Sequence, residues 1–200
     1  MASDIFLHLV DPVSRVRAEL ARLAFDMDYH CEVYADLDEL VRFLPREGII
    51  MMRDGPAQGG VAQALEALAE KGVWLPLIAH DDDPVTTRVV AAMKAGALDY
   101  LRLPIDEATL RATLERSAGE AGEYRQSRRR MVEARHRIAG LSQREREVLD
   151  RLAQGNSNKA IARDLEISPR TVEIHRANMM HKLGASHSAE AVRLRIEAQI

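Results

Sequence analysis

Apolar residues in this chain follow two rhythms. Up to about residue 103, short apolar runs at 5–10, 30–34, 49–52, 73–79 and 98–101 alternate with stretches of helical period at 13–25, 37–44, 61–71, 84–95 and 106–116. Nearly continuous apolar runs are what strands covered on both faces require. Their alternation with amphipathic helices predicts an α/β domain built on a doubly wound, parallel, five-stranded sheet. Functional side chains of such a sheet gather at the carboxyl ends of the strands. From residue 141 onward the strand rhythm stops and only the helical one remains, which predicts an all-α second domain.

Local signals in that last third are specific. Ser142 followed by Glu145 is a capping box, opening a helix that runs to about Gln154, where Gly155 stops it. Residues 158–165 form a short second helix with Ala160, Ile161 and Leu165 on one face, and Glu166-Ile167 makes the turn. Ser168 caps a third helix with Pro169 in its first position, where a missing N–H costs nothing. Along it, Val172, His175, Met179 and Leu183 recur at core spacing, which leaves Arg170, Glu173, Ile174, Ala177 and Asn178 facing outward. Two helices joined by a tight turn, the second with a free polar face, form the layout that seats a helix in a DNA major groove. Glu173, Ile174 and Ala177 are the candidates for base edges: a glutamate accepts from a cytosine amino group, and the apolar pair meets a thymine methyl. Ser168 and Thr171 at the helix N-terminus suit a phosphate oxygen. Lys159, Arg170, Arg176, Asn178 and Lys182 complete the backbone contacts. Periodicity alone also admits a charged three-helix core with no ligand.

Wording narrows the choice. LSQREREVLDRLAQGNSNKAIARDLEISPRTVEIHRANMMHKL resembles the LuxR-type DNA-binding domain of bacterial regulators in its LSxRE, EVL, G-x-x-NKxIA, L-x-IS-x-x-TVxxH and KLG patterns. SPRTVEIHRANMMHK is close to the FixJ subgroup. The resemblance runs from Leu141 to the C-terminus and implies a four-helix domain whose last helix, about 187–198, pairs two monomers. Earlier in the chain, LVDPVSRVRAEL and AAMKAGALDYLRLP resemble the first and last signatures of a response-regulator receiver, a flavodoxin- or CheY-like fold. Together they imply a FixJ/NarL-type transcription regulator that binds double-stranded DNA as a homodimer. RNA polymerase and a sensor or partner protein are its further candidate partners.

Receivers use a carboxylate cluster to bind Mg²⁺ and an aspartate at the end of the third strand to accept a phosphoryl group. A Thr or Ser on the fourth strand and a Lys after the fifth bond the phosphoryl oxygens, because the added charge needs fixed donors. This chain departs from that pattern throughout. Asp11 is followed by Pro12 where a second metal-binding carboxylate is expected. In GIIMMRD a direct alignment puts Arg53 at the acceptor position, and a one-residue shift puts Asp54 there. Asp81 occupies the hydroxyl position, and Leu103-Pro104 replaces Lys-Pro, with Arg102 one place off on the other face. Leu103 cannot bond a phosphoryl oxygen and Asp81 repels one, whereas Arg53 paired with Asp11 replaces both metal and phosphate. The expectation is a degenerate receiver outside ordinary Mg²⁺-dependent phosphorylation. One rival keeps Asp54 as acceptor and Asp11 as the sole metal carboxylate. Another is an interaction module whose receiver binds a protein or small ligand, with DNA binding secondary. For Asp81 to Asp83 the plain account is a solvated loop with Asp83 capping a helix that starts at Pro84, against a metal or partner site.

Charge sharpens this division. Residues 1–118 hold 12 basic and 20 acidic side chains, residues 119–140 hold 6 and 3, and residues 141–200 hold 10 and 8. The acidic region is unsuited to nucleic acid. The C-terminal region, at +2, suits it only weakly, so two copies are needed for affinity. A single cysteine, Cys31, excludes an internal disulfide, and the scattered histidines lack metal-ligand spacing. No nucleophile–base pair stands out, so neither enzyme activity, cofactor nor metal is expected. No run approaches the ~20 apolar residues of a membrane span, and IFLHLV is too short for a signal peptide, which predicts a cytoplasmic protein. The glycine-rich stretch 55–60 reads as a flexible turn.

The predicted organisation is a receiver-like domain at 1–118, a helical linker at 119–140 and a helix-turn-helix domain at 141–200. Leu110, Ser117, Tyr124, Met131 and Ile138 recur every seven residues, but Arg128 and Arg135 fall at the alternate positions, giving half a coiled-coil seam. Such a helix either transmits receiver dimerisation or is a solvated basic linker frayed at Gly119 and Gly122, with Arg128 to Arg130 near flanking phosphates.

Overall fold

Two compact units, Met1–Arg128 and Arg129–Ile200, make up the computed structural model, which describes residues 5–55 and 60–198. In the first unit, strands β1 (Phe6–Val10), β2 (His30–Tyr34), β3 (Ile49–Arg53), β4 (Leu77–Asp81) and β5 (Asp99–Arg102) alternate with helices. These are α1 (Ser14–Asp26), α2 (Leu37–Phe43), α3 (Gly60–Glu70), α4 (Thr86–Ala95) and α5 (Glu107–Ala139). All strand pairs are parallel, in the order β2-β1-β3-β4-β5.

Strand alternation explains the near-continuous apolar runs. Leu7, Leu9, Ile49, Met51 and Ile78 pack on one face with Leu20, Ala24, Leu110 and Leu114. Val10, Ile50, Met52, Leu77 and Ala79 pack on the other with Leu40, Val61, Leu65 and Leu68. Each such buried aliphatic side chain contributes about 1.5–3 kcal/mol, so the sheet is a stiff frame for the loops above it. Chain order reverses between β1 and β3, and the carboxyl ends of strands at such a switch point are where sheets of this kind gather their functional side chains.

Several boundaries differ from the sequence pattern for identifiable reasons. β4 begins at Leu77 rather than at Val73, because Pro76 has no N–H to give; its carbonyl still accepts from Ile50 N–H at 2.8 Å. β3 runs one residue further than expected and so includes Arg53. Helix α4 starts at Thr86 with extended Val85 before it, so Pro84 lies outside the helix and Asp83 does not cap it. Of the glycine-rich turn, residues 56–59 lie outside the described residues.

Helix α5 is continuous through Gly119 and Gly122, so it does not fray there. Within the first unit the Tyr124 hydroxyl donates to the Gly96 carbonyl (2.8 Å) and the Arg128 guanidinium to the Ala95 carbonyl (2.5 Å). Both carbonyls end α4, where the helix dipole is negative and a cation is favoured. Arg128 is therefore engaged in capping, not offered to phosphates. Gly96 has φ +114°, the left-handed region that favours glycine, and a Cβ there would also displace the end of the Arg128 side chain.

In the second unit the end of α5 packs with α6 (Gln143–Ala153), α7 (Asn158–Asp164), α8 (Pro169–Leu183) and α9 (Ser188–Glu197). Their core includes Ile138, Val148, Leu149, Ile161, Val172, Met179, Leu183 and Leu194. Both halves of the Ser142–Glu145 capping box are formed, and Ser157 and Ser168 cap α7 and α8. Among the described residues no helix is long and apolar enough to cross a membrane.

Candidate nucleic-acid interface and receiver pocket

The interface is built by α7, its turn and α8. The turn carries Glu166 in the left-handed region (φ +56°), and Ile167 N–H returns to the Ala162 carbonyl at 3.0 Å. This redirects the chain so that Ser168 caps α8. Val172, Met179 and Leu183 are buried and His175 is half-buried, as their spacing requires. Arg170, Glu173, Ile174, Ala177 and Asn178 are exposed together, as is Lys159 on α7. Ile174 is 55% exposed, an apolar side chain left in water on a polar face. Among the described residues Lys159, Arg170, Glu173 and Asn178 have no intramolecular side-chain bond. At the helix start, Thr171 N–H donates to Ser168 Oγ (3.0 Å) and the two hydroxyls share a 2.8 Å bond.

Two other side chains of the predicted set are already occupied. Arg176 donates to Asn158 Oδ1 (2.5 Å) and to Ser188 Oγ (2.6 Å), tying α8 to the first residues of α7 and α9. Lys182 donates to Glu145 Oε2 (2.7 Å), and that carboxylate is buried. Burial pushes the Glu145 carboxyl up, but Lys182 and the Ser142 N–H outweigh it and hold it below the usual range. Spacing revealed Glu145 as a cap; its bond to Lys182, from a helix distant in sequence, had no local signal. On α9, Ala191 and Leu194 face the core while Ile196 is exposed.

The second cluster sits at the ends of β1, β3 and β4. Arg53 Nε donates to Asp11 Oδ2 at 2.8 Å, and its other nitrogens reach Asp81 Oδ1 (3.3 Å) and both Asp82 oxygens (3.1 Å). Asp11 is fully buried, and its second oxygen takes the Val13 N–H at 2.7 Å. Arg88 of α4, which nothing in the sequence singled out, bridges Asp81 (3.1 Å) and Asp54 (3.3 Å). Asp54 is buried as well, and it accepts from the Tyr100 hydroxyl (3.1 Å) and the Val61 N–H (3.4 Å). Burial and the Asp54 charge both raise the Tyr100 hydroxyl's pKa, so it stays a donor. Beneath the cluster His80 is wholly buried with neither ring nitrogen hydrogen-bonded, and burial lowers its pKa to about 4.

Arg53 and Asp54 thus point to different groups: Arg53 to Asp11, Asp81 and Asp82, and Asp54 to Tyr100 and Arg88. Asp81 ends a strand and is engaged with two guanidiniums, so it is not part of a solvated loop; Asp82 and Asp83 are exposed. Leu103 is buried in the core beside Leu20 and Leu101, Arg102 is exposed, and Pro12 faces solvent. Mg²⁺ needs oxygen ligands in near-octahedral array. Here both Asp11 oxygens are engaged, Pro12 supplies none, and a guanidinium already carries the positive charge. These residues do not fit the ion. Among the described residues no group of three His, Cys, Asp or Glu side chains is arranged to hold a metal.

A receiver-type sheet followed by a capped helix-turn-helix defines a response regulator with a DNA-binding output domain. Residues 139–195 match the GerE family, "Bacterial regulatory proteins, luxR family". The transcriptional regulatory protein FixJ of Azorhizobium caulinodans is 38% identical, the match covering 100% of this chain and 96% of that one. FixJ of Rhizobium meliloti is 33% identical, covering 96% and 95%. The crystal structure of full-length FixJ from B. japonicum aligns with a TM-score of 0.54 at 28% identity, covering 98% of each chain. The chain belongs to the FixJ-type response regulators, transcription regulators with a LuxR-type DNA-binding domain.

Proposed function

We propose that this regulator binds operator DNA as a homodimer through the outer face of α8, and that ordinary Mg²⁺-dependent phosphorylation does not control its receiver. One observation carries the second claim: Arg53 stands in an ion pair with the buried Asp11. That contact supplies internally the positive charge a bound metal would bring. The exposed, unbonded side chains of α8 support the first. Glu173, Ile174 and Ala177 read base edges; Arg170, Asn178, Thr171, Ser168 and Lys159 touch the backbone, while Arg176 and Lys182 mainly hold the helices that present them. Two copies meet half-sites about one helical turn apart, paired through α9, in the cytoplasm where the operator lies. RNA polymerase or a sensor protein is the further partner.

Intact-mass analysis after incubation with Mg²⁺ and acetyl phosphate, on wild type and Asp54→Asn together, tests the receiver half. We expect no adduct and the same affinity for a selected DNA site before and after treatment. An adduct on wild type alone makes Asp54 the acceptor and overturns the reading. For the interface, Glu173→Ala should relax preference at one base-pair position by about 1–3 kcal/mol. A uniform loss over all sequences would remove Glu173 from base reading.

A further inference from the structure

Region 1–118 has a net charge of −8, yet three of its cations gather in one place. Arg42 ends α2, Arg46 follows it in the loop to β3, and Lys71 lies just past α3. With Arg125 of α5 they line a cleft of about 540 Å³ whose wall also carries Phe43 and Trp74. None of the lining side chains is acidic. Among the described residues Arg42, Arg46 and Lys71 have no side-chain partner, and Arg125 donates only to the Ala121 carbonyl of its own helix (3.2 Å). Helix C-termini favour nearby cations, which accounts for Arg42 and Lys71. It does not account for Arg46, in a loop, or for Arg125, in mid-helix.

The contrast with the Arg53 pocket is chemical. There the guanidiniums are engaged by carboxylates; here four exposed cations line one cleft without one, which leaves their charge available to an anion. Phe43 is 69% exposed and Trp74 half-buried, so ring faces are available beside the charges. A cavity of this size holds a small molecule, since binding clefts typically run from about 300 to 1,000 Å³. Multiple cations call for more than one negative charge, and aromatic side chains call for a flat ring.

We propose that this cleft binds a nucleoside di- or triphosphate, with the phosphates on Arg46, Lys71 and Arg125 and the base against Trp74 or Phe43. The proposal goes beyond the DNA-binding reading and does not rest on it. Because Arg125 belongs to α5, whose far end enters the core of the second unit, occupancy of the cleft bears on the helix that joins the two units.

Trp74 is the only tryptophan in the chain, so its emission reports this cleft alone. The full-length protein is titrated with ADP and with GDP, excited at a wavelength the bases do not absorb, with pyrophosphate and adenosine as the partial probes. Saturable quenching by at least one nucleotide is expected, with pyrophosphate giving no comparable quenching and adenosine not saturating. Arg46→Ala combined with Arg125→Ala should weaken nucleotide binding about tenfold or more, as the loss of charge-assisted bonds implies. Both residues are exposed, and far-ultraviolet dichroism checks that the variant folds. Calorimetry repeats the titration independently of the fluorophore. Absence of saturable binding by both methods, or binding unchanged in the double variant, overturns the proposal. Stronger quenching by duplex DNA than by either nucleotide, lost in the same variant, overturns it in favour of a nucleic-acid surface.

Discussion

The outer face of α8 and the pocket at the ends of β1, β3 and β4 carry a similar mix of charged side chains and use them in opposite ways. On α8, Arg170, Glu173 and Asn178 stand in solvent with their bonding capacity unspent among the described residues. In the pocket, Arg53 and Arg88 are shared among Asp11, Asp54, Asp81 and Asp82. Burial explains the difference. A carboxylate taken out of water is costly unless a cation and hydrogen-bond donors meet it, so the fully buried Asp11 must have an internal partner. A solvated side chain has no such need and stays available to a ligand. Charged residues mark a binding surface only where their partners are missing.

Removing a partner is the most direct way to break the comparison. Arg53→Met leaves the buried Asp11 without its guanidinium, with only the Val13 N–H and the neutral His80 ring 3.7 Å away, and unfolding by urea, followed by Trp74 emission, should show a loss of about 3–5 kcal/mol. Replacing Asp11 with Leu in the same chain should recover much of it. A loss under about 1 kcal/mol would mean the pair is solvated and the pocket open.

The pH dependence of stability sharpens the same point. His80 is held neutral, with its pKa lowered to about 4 by burial, whereas in the unfolded chain it titrates near 6.5. Below that ordinary value the unfolded state binds the extra proton first. The His80 contribution is therefore fully present above about pH 6.5 and is lost as pH falls toward 4, by about 3 kcal/mol. His80→Leu should flatten the profile over this window; an unchanged slope would assign it to other groups.

In the second unit, Lys182→Met deprives the buried Glu145 of its cation and should cost about 1.5 kcal/mol of stability, read by thermal unfolding. Its effect on DNA affinity at the working temperature should be smaller than that of Arg170→Ala. Reversal of that order would return Lys182 to the phosphate contacts. Arg170→Ala is the mildest change: the slope of log affinity against log salt should fall by about one unit with stability unaltered. An unchanged slope would take Arg170 off the DNA backbone.

Much of the architecture was legible because it depends on neighbours in sequence. Strand and helix periods, the Ser142–Glu145 box, the Ser168–Pro169 start and the outward face of α8 all follow from local geometry, and all are formed. Errors arose where a distant residue competes. Arg128 looked like part of a solvated basic run until α4 presented its terminal carbonyls. Asp83 had the right residue type and position for a cap, but the helix begins later, after Val85.

By itself, then, the sequence determined the two kinds of domain, the order of their elements and which face of α8 is free, since hydrophobic period and caps act over a few residues. Tertiary structure alone decided which charges are spent. It chose Arg53 over Asp54 to face Asp11, recruited Arg88 between two carboxylates, and left Arg42, Arg46, Lys71 and Arg125 together without one. The physical reason is that hydrogen bonds and ion pairs depend on distance in space, and the folded sheet brings together residues that the chain keeps far apart.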